Sequence, residues 1–104
     1  MSKNTIVVYF SDHGANNLLR HKQMLTEGGL RVPFIIMGPD DYFLKNSVRN
    51  DIINMLDLSA TTLAWAGIEI PYWYEGKNLF ADSFVARKYV AAHRDRLDHT
   101  IDMV

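Results

Sequence analysis

Residues 5–14 read Thr5-Ile6-Val7-Val8-Tyr9-Phe10-Ser11-Asp12-His13-Gly14. The β-branched and aromatic run at the front predicts a strand over about 5–11, buried on both faces as in a parallel sheet. In open α/β sheets, ligands bind just outside the carboxyl ends of the strands. A carboxylate, an imidazole and a glycine stand at that edge, so Asp12 and His13 are candidate metal ligands or catalytic groups. Neighbouring side chains on a strand point to opposite faces. The two reach one ion only if the chain turns, and Gly14 permits such a turn. Taken alone, the triplet fits a solvated strand end with a capping aspartate better than a metal site.

Downstream, residues 14–30 are polar and glycine-bearing and read mainly as a long loop, with room for a helical turn around Leu18 to Leu25. Within it lies Arg20-His21-Lys22. Three basic residues on a loop are ordinarily a solvated surface. The functional alternative is that Lys22, held in place, binds an anionic oxygen. Glu27-Gly28-Gly29-Leu30-Arg31-Val32-Pro33 reads as a tight turn with a local Glu27–Arg31 pair that positions the lysine loop. A second strand is expected over about 31–37, closed by Gly38-Pro39, with Pro33 at its start or on a free edge.

The strongest helical signal runs over about 49–66, where Ile52, Ile53, Leu56, Ser59, Ala60 and Leu63 form an apolar stripe. Asn46, Ser47 or Asn50 is expected to cap its start, and Gly67 stands where a C-terminal glycine belongs. Tyr72-Trp73-Tyr74 is expected to pack over core, although such rings can also stack on a sugar. A third strand is expected at 88–92. The 104 residues suffice for one small domain with a modest core. A net charge of −1 leaves no electrostatic footprint for nucleic acid. No apolar stretch approaches the ~20 residues of a membrane span. Cysteine is absent, which excludes disulfides, zinc–thiolate sites and cysteine nucleophiles. Met1-Ser2-Lys3-Asn4 leads straight into a strand, so no signal segment is expected, and a chain that opens this way reads as a portion of a longer domain.

The ordered series resembles the sulfatase family of the alkaline phosphatase superfamily. Its parts are the apolar strand, Ser11-Asp12-His13-Gly14, the Lys22 loop, Thr26-Glu27-Gly28-Gly29-Leu30-Arg31-Val32-Pro33 and a strand ending in Gly38-Pro39. Asn54-Met55-Leu56-Asp57-Leu58-Ser59-Ala60-Thr61-Thr62-Leu63 follows, leading to Ala66-Gly67-Ile68. Then come Gly76-Lys77-Asn78-Leu79 and the ending Arg94-Asp95-Arg96-Leu97-Asp98-His99-Thr100-Ile101-Asp102. Ala60 stands where the family often has proline, and His99 where an acidic residue is common.

The resemblance implies an α/β fold, a portion of an alkaline-phosphatase-like, mainly parallel sheet flanked by helices. It makes residues 1–104 a single partial domain from the later part of the catalytic region. It implies hydrolysis of a sulfate ester or sulfamate, begun by attack of a hydrated formylglycine on sulfur. A divalent metal, calcium by resemblance, polarises the sulfate oxygens, a lysine offsets their charge and a histidine protonates the leaving oxygen. Asp12 and His13 match one pair of metal ligands, and Lys22 matches the lysine on a sulfate oxygen. An exported, periplasmic or lysosomal parent goes with the family.

Two parts of the family pattern are missing. Its nucleophile is made from a cysteine or serine two residues before a proline. The residues two before Pro33, Pro39 and Pro71 are Arg31, Met37 and Glu69, so this chain supplies no nucleophile. The other pair of metal ligands, a tandem aspartate after an earlier strand, is also absent. Asp40-Asp41 follows the glycine-proline, where the family has a variable loop, and reads as a solvated turn. The expectation is half a metal site and one anion-binding lysine, inactive alone.

Two other readings compete. A phosphodiesterase or phosphonate hydrolase of the same superfamily would use zinc or manganese, which suit His13 better than a calcium cage does. A non-catalytic interaction domain would pair through an exposed sheet edge, for instance as a homodimer. The sulfated substrate itself is not legible in the residues.

Overall fold

The computed structural model describes residues 4–15, 22–39, 47–94 and 102–103. The chain divides into two compact units, residues 1–48 with 91–104, and residues 49–90.

In the first unit, β1 (Val7–Phe10) pairs with β2 (Phe34–Met37), and α1 (Glu27–Leu30) is a single turn between them. The pairing is antiparallel, with Val7 opposite Met37, Val8 opposite Ile36, Tyr9 opposite Ile35 and Phe10 opposite Phe34. An α/β composition is therefore present, while every strand pairing among the described residues is antiparallel. Partners across the ladder share a face. Val7, Tyr9, Ile35 and Met37 thus lie on one face, and all four are exposed. Phe10 and Phe34 stand on the other with ring centroids 6.5 Å apart. The expectation that β1 is buried on both faces is corrected: a two-stranded sheet has only edges, and one of its faces is open. Pro33 immediately precedes β2, where its missing N–H costs no ladder bond. A second antiparallel pair joins β3 (His93–Arg94) to β4 (Asp102–Met103). The strand expected at 88–92 does not form, since the pairings fall on either side of it, at the Ile52–Arg87 bridge and at β3.

The second unit is built on α2 (Met55–Trp65). It starts later than the apolar pattern predicts because Asn54 caps it. The Asp57 N–H donates to Asn54 Oδ1 at 3.3 Å, and the Asn54 N–H donates to Asp57 Oδ2 at 3.0 Å. This reciprocal pair is a capping box. At the other end Gly67 adopts φ 70°, and Ile68 N–H and Gly67 N–H donate to the carbonyls of Leu63 (2.9 Å) and Ala64 (3.0 Å). The buried face of α2 is Asp57, Ala60 and Thr61, with Leu79 against them. Of the expected stripe, Ala60 is buried and Ile53 and Leu63 are half-buried, while Ile52, Leu56 and Ser59 are exposed. No helix among the described residues is long and apolar enough to cross a membrane.

Candidate functional site

Strand β1 stops at Phe10, and the chain bends through Asp12, His13 and Gly14. The Ser11 hydroxyl donates to the His13 carbonyl at 2.8 Å and holds the bend. His13 Nδ1 lies 2.7 Å from the Gly14 carbonyl oxygen. A nitrogen facing a carbonyl must carry the proton, so Nδ1 is the donor in this contact. Nε2 lies 3.5 Å from Asp12 Oδ2. The bend therefore brings both sequence-predicted ligands together. Their side chains are 33% (His13) and 82% (Asp12) exposed, so the pair opens outward.

Gly14 is needed here for a reason its sequence position does not reveal. Its φ is not positive, since Gly67 is the one described glycine with φ in that range. A Cβ at Gly14 would instead collide with the Gly28 carbonyl, and the Gly14 N–H donates to the Gly29 carbonyl at 3.1 Å. The Glu27-Gly28-Gly29 turn therefore braces the Asp12–His13 bend. The turn itself is closed by Gly29 and Leu30 N–H groups donating to the Thr26 carbonyl, both at 2.9 Å. The expected Glu27–Arg31 pair is present at 3.1 Å on the surface.

A cleft of about 440 Å³ opens beside this brace. Tyr9, Val32 and Pro33 give it apolar walls, Gly14 and Gly28 a backbone floor, and Ser11, His13 and Arg31 polar groups. Lys22 is exposed on a turn beside Gln23, which holds φ 59°, and is not among the described residues lining the cleft. Asp40 and Asp41 lie outside the described residues. Among the described residues, no group of three or more His, Cys, Asp or Glu is placed to hold a metal ion.

Asp57, the hub of the second unit, carries no functional signature in the sequence. Its carboxylate is only 1% exposed. Arg87 donates to it twice, from Nη2 to Oδ1 at 2.6 Å and from Nε to Oδ2 at 3.2 Å. The Lys77 N–H adds a bond to Oδ1 at 2.8 Å. Burial pushes this carboxyl's pKa up. The Arg87 hydrogen bond, the Asn54 and Lys77 N–H groups and the guanidinium charge together outweigh burial and hold it below the usual aspartate value. Thr61 extends the network: its hydroxyl donates to the Asp57 carbonyl at 2.6 Å and accepts from the Leu79 N–H at 3.0 Å. Gly76 packs against the Leu56 carbonyl with no room for a Cβ. The segment Gly76-Lys77-Asn78-Leu79 is thus fastened to α2 at both ends. The Asn54-x-x-Asp57 spacing is the one local signal that pointed this way.

The aromatic segment departs from expectation. The Tyr74 N–H donates to the Pro71 carbonyl at 2.9 Å, and the turn throws Tyr72 outward, 100% exposed, with Trp73 also exposed. Trp73 meets Tyr74 edge to face at 6.0 Å rather than covering core.

A family model described as Sulfatase matches residues 1–68. The chain is 36% identical over 80 residues to a putative extracellular sulfatase Sulf-1 homolog of Caenorhabditis elegans, covering 73% of this chain and 11% of that protein. It is 31% identical over 104 residues to an ulvan-active sulfatase of Formosa agariphila, covering 98% of this chain and 17% of the other. Arylsulfatase K of Bos taurus is 34% identical over 83 residues, 76% of this chain and 15% of the relative. The chain therefore spans between 11% and 17% of the length of these relatives. No solved structure matches it.

Proposed function

The chain belongs to the sulfatase family, and from that premise we propose that it contributes half of the metal site and a sulfate-binding lysine to a sulfuric ester hydrolase. The observation that carries the proposal is the 3.5 Å approach of His13 Nε2 to Asp12 Oδ2. With Nδ1 donating to the Gly14 carbonyl, neutral His13 would present its Nε2 lone pair beside the Asp12 carboxylate, and a cation bound by both would satisfy them. The Gly14 carbonyl on Nδ1 is the outer hydrogen bond that commonly orients a ligating imidazole.

Asp12 and His13 would hold the divalent ion, which supplies Lewis-acid polarisation of the sulfate oxygens when bound. Two donors fall short of the roughly six to eight that calcium takes, so affinity in this chain alone is expected to be weak. Lys22 offsets charge on a sulfate oxygen. The substrate class is a sulfate ester or sulfamate. A mainly parallel parent sheet, with residues 1–104 as one portion of it, belongs to the same proposal. No residue here can become formylglycine, so the 104 residues by themselves are expected to turn over no aryl sulfate. An assay of the purified chain with an aryl sulfate tests this. Turnover that Lys22→Ala abolishes would overturn it.

The relatives are sulfatases and do not favour a phosphodiesterase or phosphonate hydrolase. A zinc or manganese preference with phosphate-ester selectivity in an intact parent would mark that alternative. A non-catalytic interaction role draws on a separate observation, the exposed face of Val7, Tyr9, Ile35 and Met37. A homodimer through this sheet would cover it. Sedimentation showing a monomer that unfolds cooperatively counts against the homodimer.

A further inference from the structure

We infer that Arg94 and Met24 form a clasp that positions Lys22. This rests on the reading of Lys22 as the residue that meets a sulfate oxygen, and goes beyond it by naming what holds that residue in place. An ammonium on a wandering stretch of chain binds an anion poorly, because each bound pose then costs conformational entropy. Lys22 stands exposed on a turn, so packing of its own side chain does not fix it. The clasp sits two residues on. Arg94 Nη1 donates to Met24 Sδ at 3.0 Å across 70 residues of sequence, and both residues are half-buried. Arg94 lies in β3, which pairs antiparallel with β4. A thioether is ordinarily a weak acceptor, but the guanidinium charge strengthens the contact and partial burial shields it from water. Between the clasp and Lys22 lies Gln23, at φ 59°. That left-handed backbone is unfavourable for a residue with a Cβ and persists where the surroundings determine it. Beyond Met24, the Thr26 carbonyl accepts from the Gly29 and Leu30 N–H groups, and the Gly29 carbonyl accepts from Gly14. The stretch from Met24 to Leu30 is thus tied to β3 at its front and to the Asp12–His13 bend at its back. Lys22 stands two residues before the tied front.

The test is nitrogen-15 relaxation together with phenyl sulfate titration, both on the full 104-residue chain with calcium present. Met24→Leu keeps the apolar volume and removes the acceptor. Met24→Gln keeps the length and supplies a carbonyl oxygen to which Arg94 can donate. Backbone order parameters at Lys22 and Gln23 are expected near the rigid value of about 0.85 in the wild type and in Met24→Gln, and to fall toward about 0.6 in Met24→Leu. Phenyl sulfate is expected to bind Met24→Leu about threefold to tenfold more weakly than the wild type, with Met24→Gln close to the wild type. A role in packing alone reverses that order, since leucine is the better apolar replacement. Unchanged order parameters in Met24→Leu, equal loosening in both variants, or loosening that extends to α2 overturns the inference. Lys22→Ala separates the two readings. If it weakens phenyl sulfate binding and Met24→Leu does not, the sulfate role of Lys22 stands and the clasp as its positioning device is overturned. If phenyl sulfate binding is the same in Lys22→Ala, or not measurable in the wild type, while the order parameters follow the expected pattern, the sulfate role is overturned and the clasp stands.

Discussion

Arg87 grips Asp57 with two hydrogen bonds, 2.6 Å and 3.2 Å, across thirty residues of sequence. The carboxylate is sealed from water, whereas the guanidinium side chain keeps 19% of its surface exposed. That asymmetry decides which deletion hurts more through charge. Arg87→Met leaves a buried carboxylate without its counter-ion, at a cost expected to be about 3–5 kcal/mol. A domain of this size has roughly 5–15 kcal/mol in all. Adding Asp57→Asn to that variant should recover part of the loss. Urea unfolding of both single variants and the double one gives the coupling, expected to be at least about 1 kcal/mol.

The same pair makes stability depend on pH. The unfolded aspartate titrates near the ordinary value of about 3.9, and the folded one lower. The unfolded chain therefore takes up the proton first. The contribution is fully present above the unfolded value and drains away as pH falls through it toward the folded one. Melting temperature should drop between about pH 5 and pH 3, and Asp57→Asn should flatten that drop. An equally steep fall in the variant would assign the acid sensitivity to other carboxyls.

Gly14 and Gly67 are glycines for different reasons, and substitution separates them. Gly14→Ala drives a Cβ into the Gly28 carbonyl, a backbone atom that cannot swing aside. The cost is expected to be about 1–3 kcal/mol, with a displaced Asp12–His13 bend and weaker metal binding. Gly67→Ala meets no atom within 4 Å and suffers only from φ 70°, about 1–2 kcal/mol. It should leave metal binding intact, and thermal unfolding beside calcium titration checks both variants.

Features governed by near neighbours were legible in the residues. Pro33 marked the start of β2, Gly67 the end of α2, and Glu27 and Arg31 their surface pair. Asp12 and His13 were legible as candidates because a turn after an apolar strand can bring adjacent side chains together. Features governed by distant partners were not. The antiparallel pairing of β1 with β2 depends on contacts between residues far apart in the sequence, from Phe10 with Phe34 to Val7 with Met37, and an apolar run does not encode its partner's direction. The helix start shifted because the Asn54–Asp57 box outcompeted earlier caps. Asp57 reads as an ordinary first-turn acid until Arg87 and Lys77 fold over it. Tyr72 and Trp73 resemble core in composition, and the Pro71–Tyr74 turn alone turns them outward.

Asp12 and His13 are expected to hold one divalent cation. Calorimetric calcium titration of the purified chain, run on wild type, Asp12→Asn and His13→Ala, tests it most directly. One weak saturable site is expected in the wild type, lost in both variants, with the fold retained by circular dichroism. A wild type that binds no calcium, zinc or manganese, or one whose binding survives both substitutions, would contradict it.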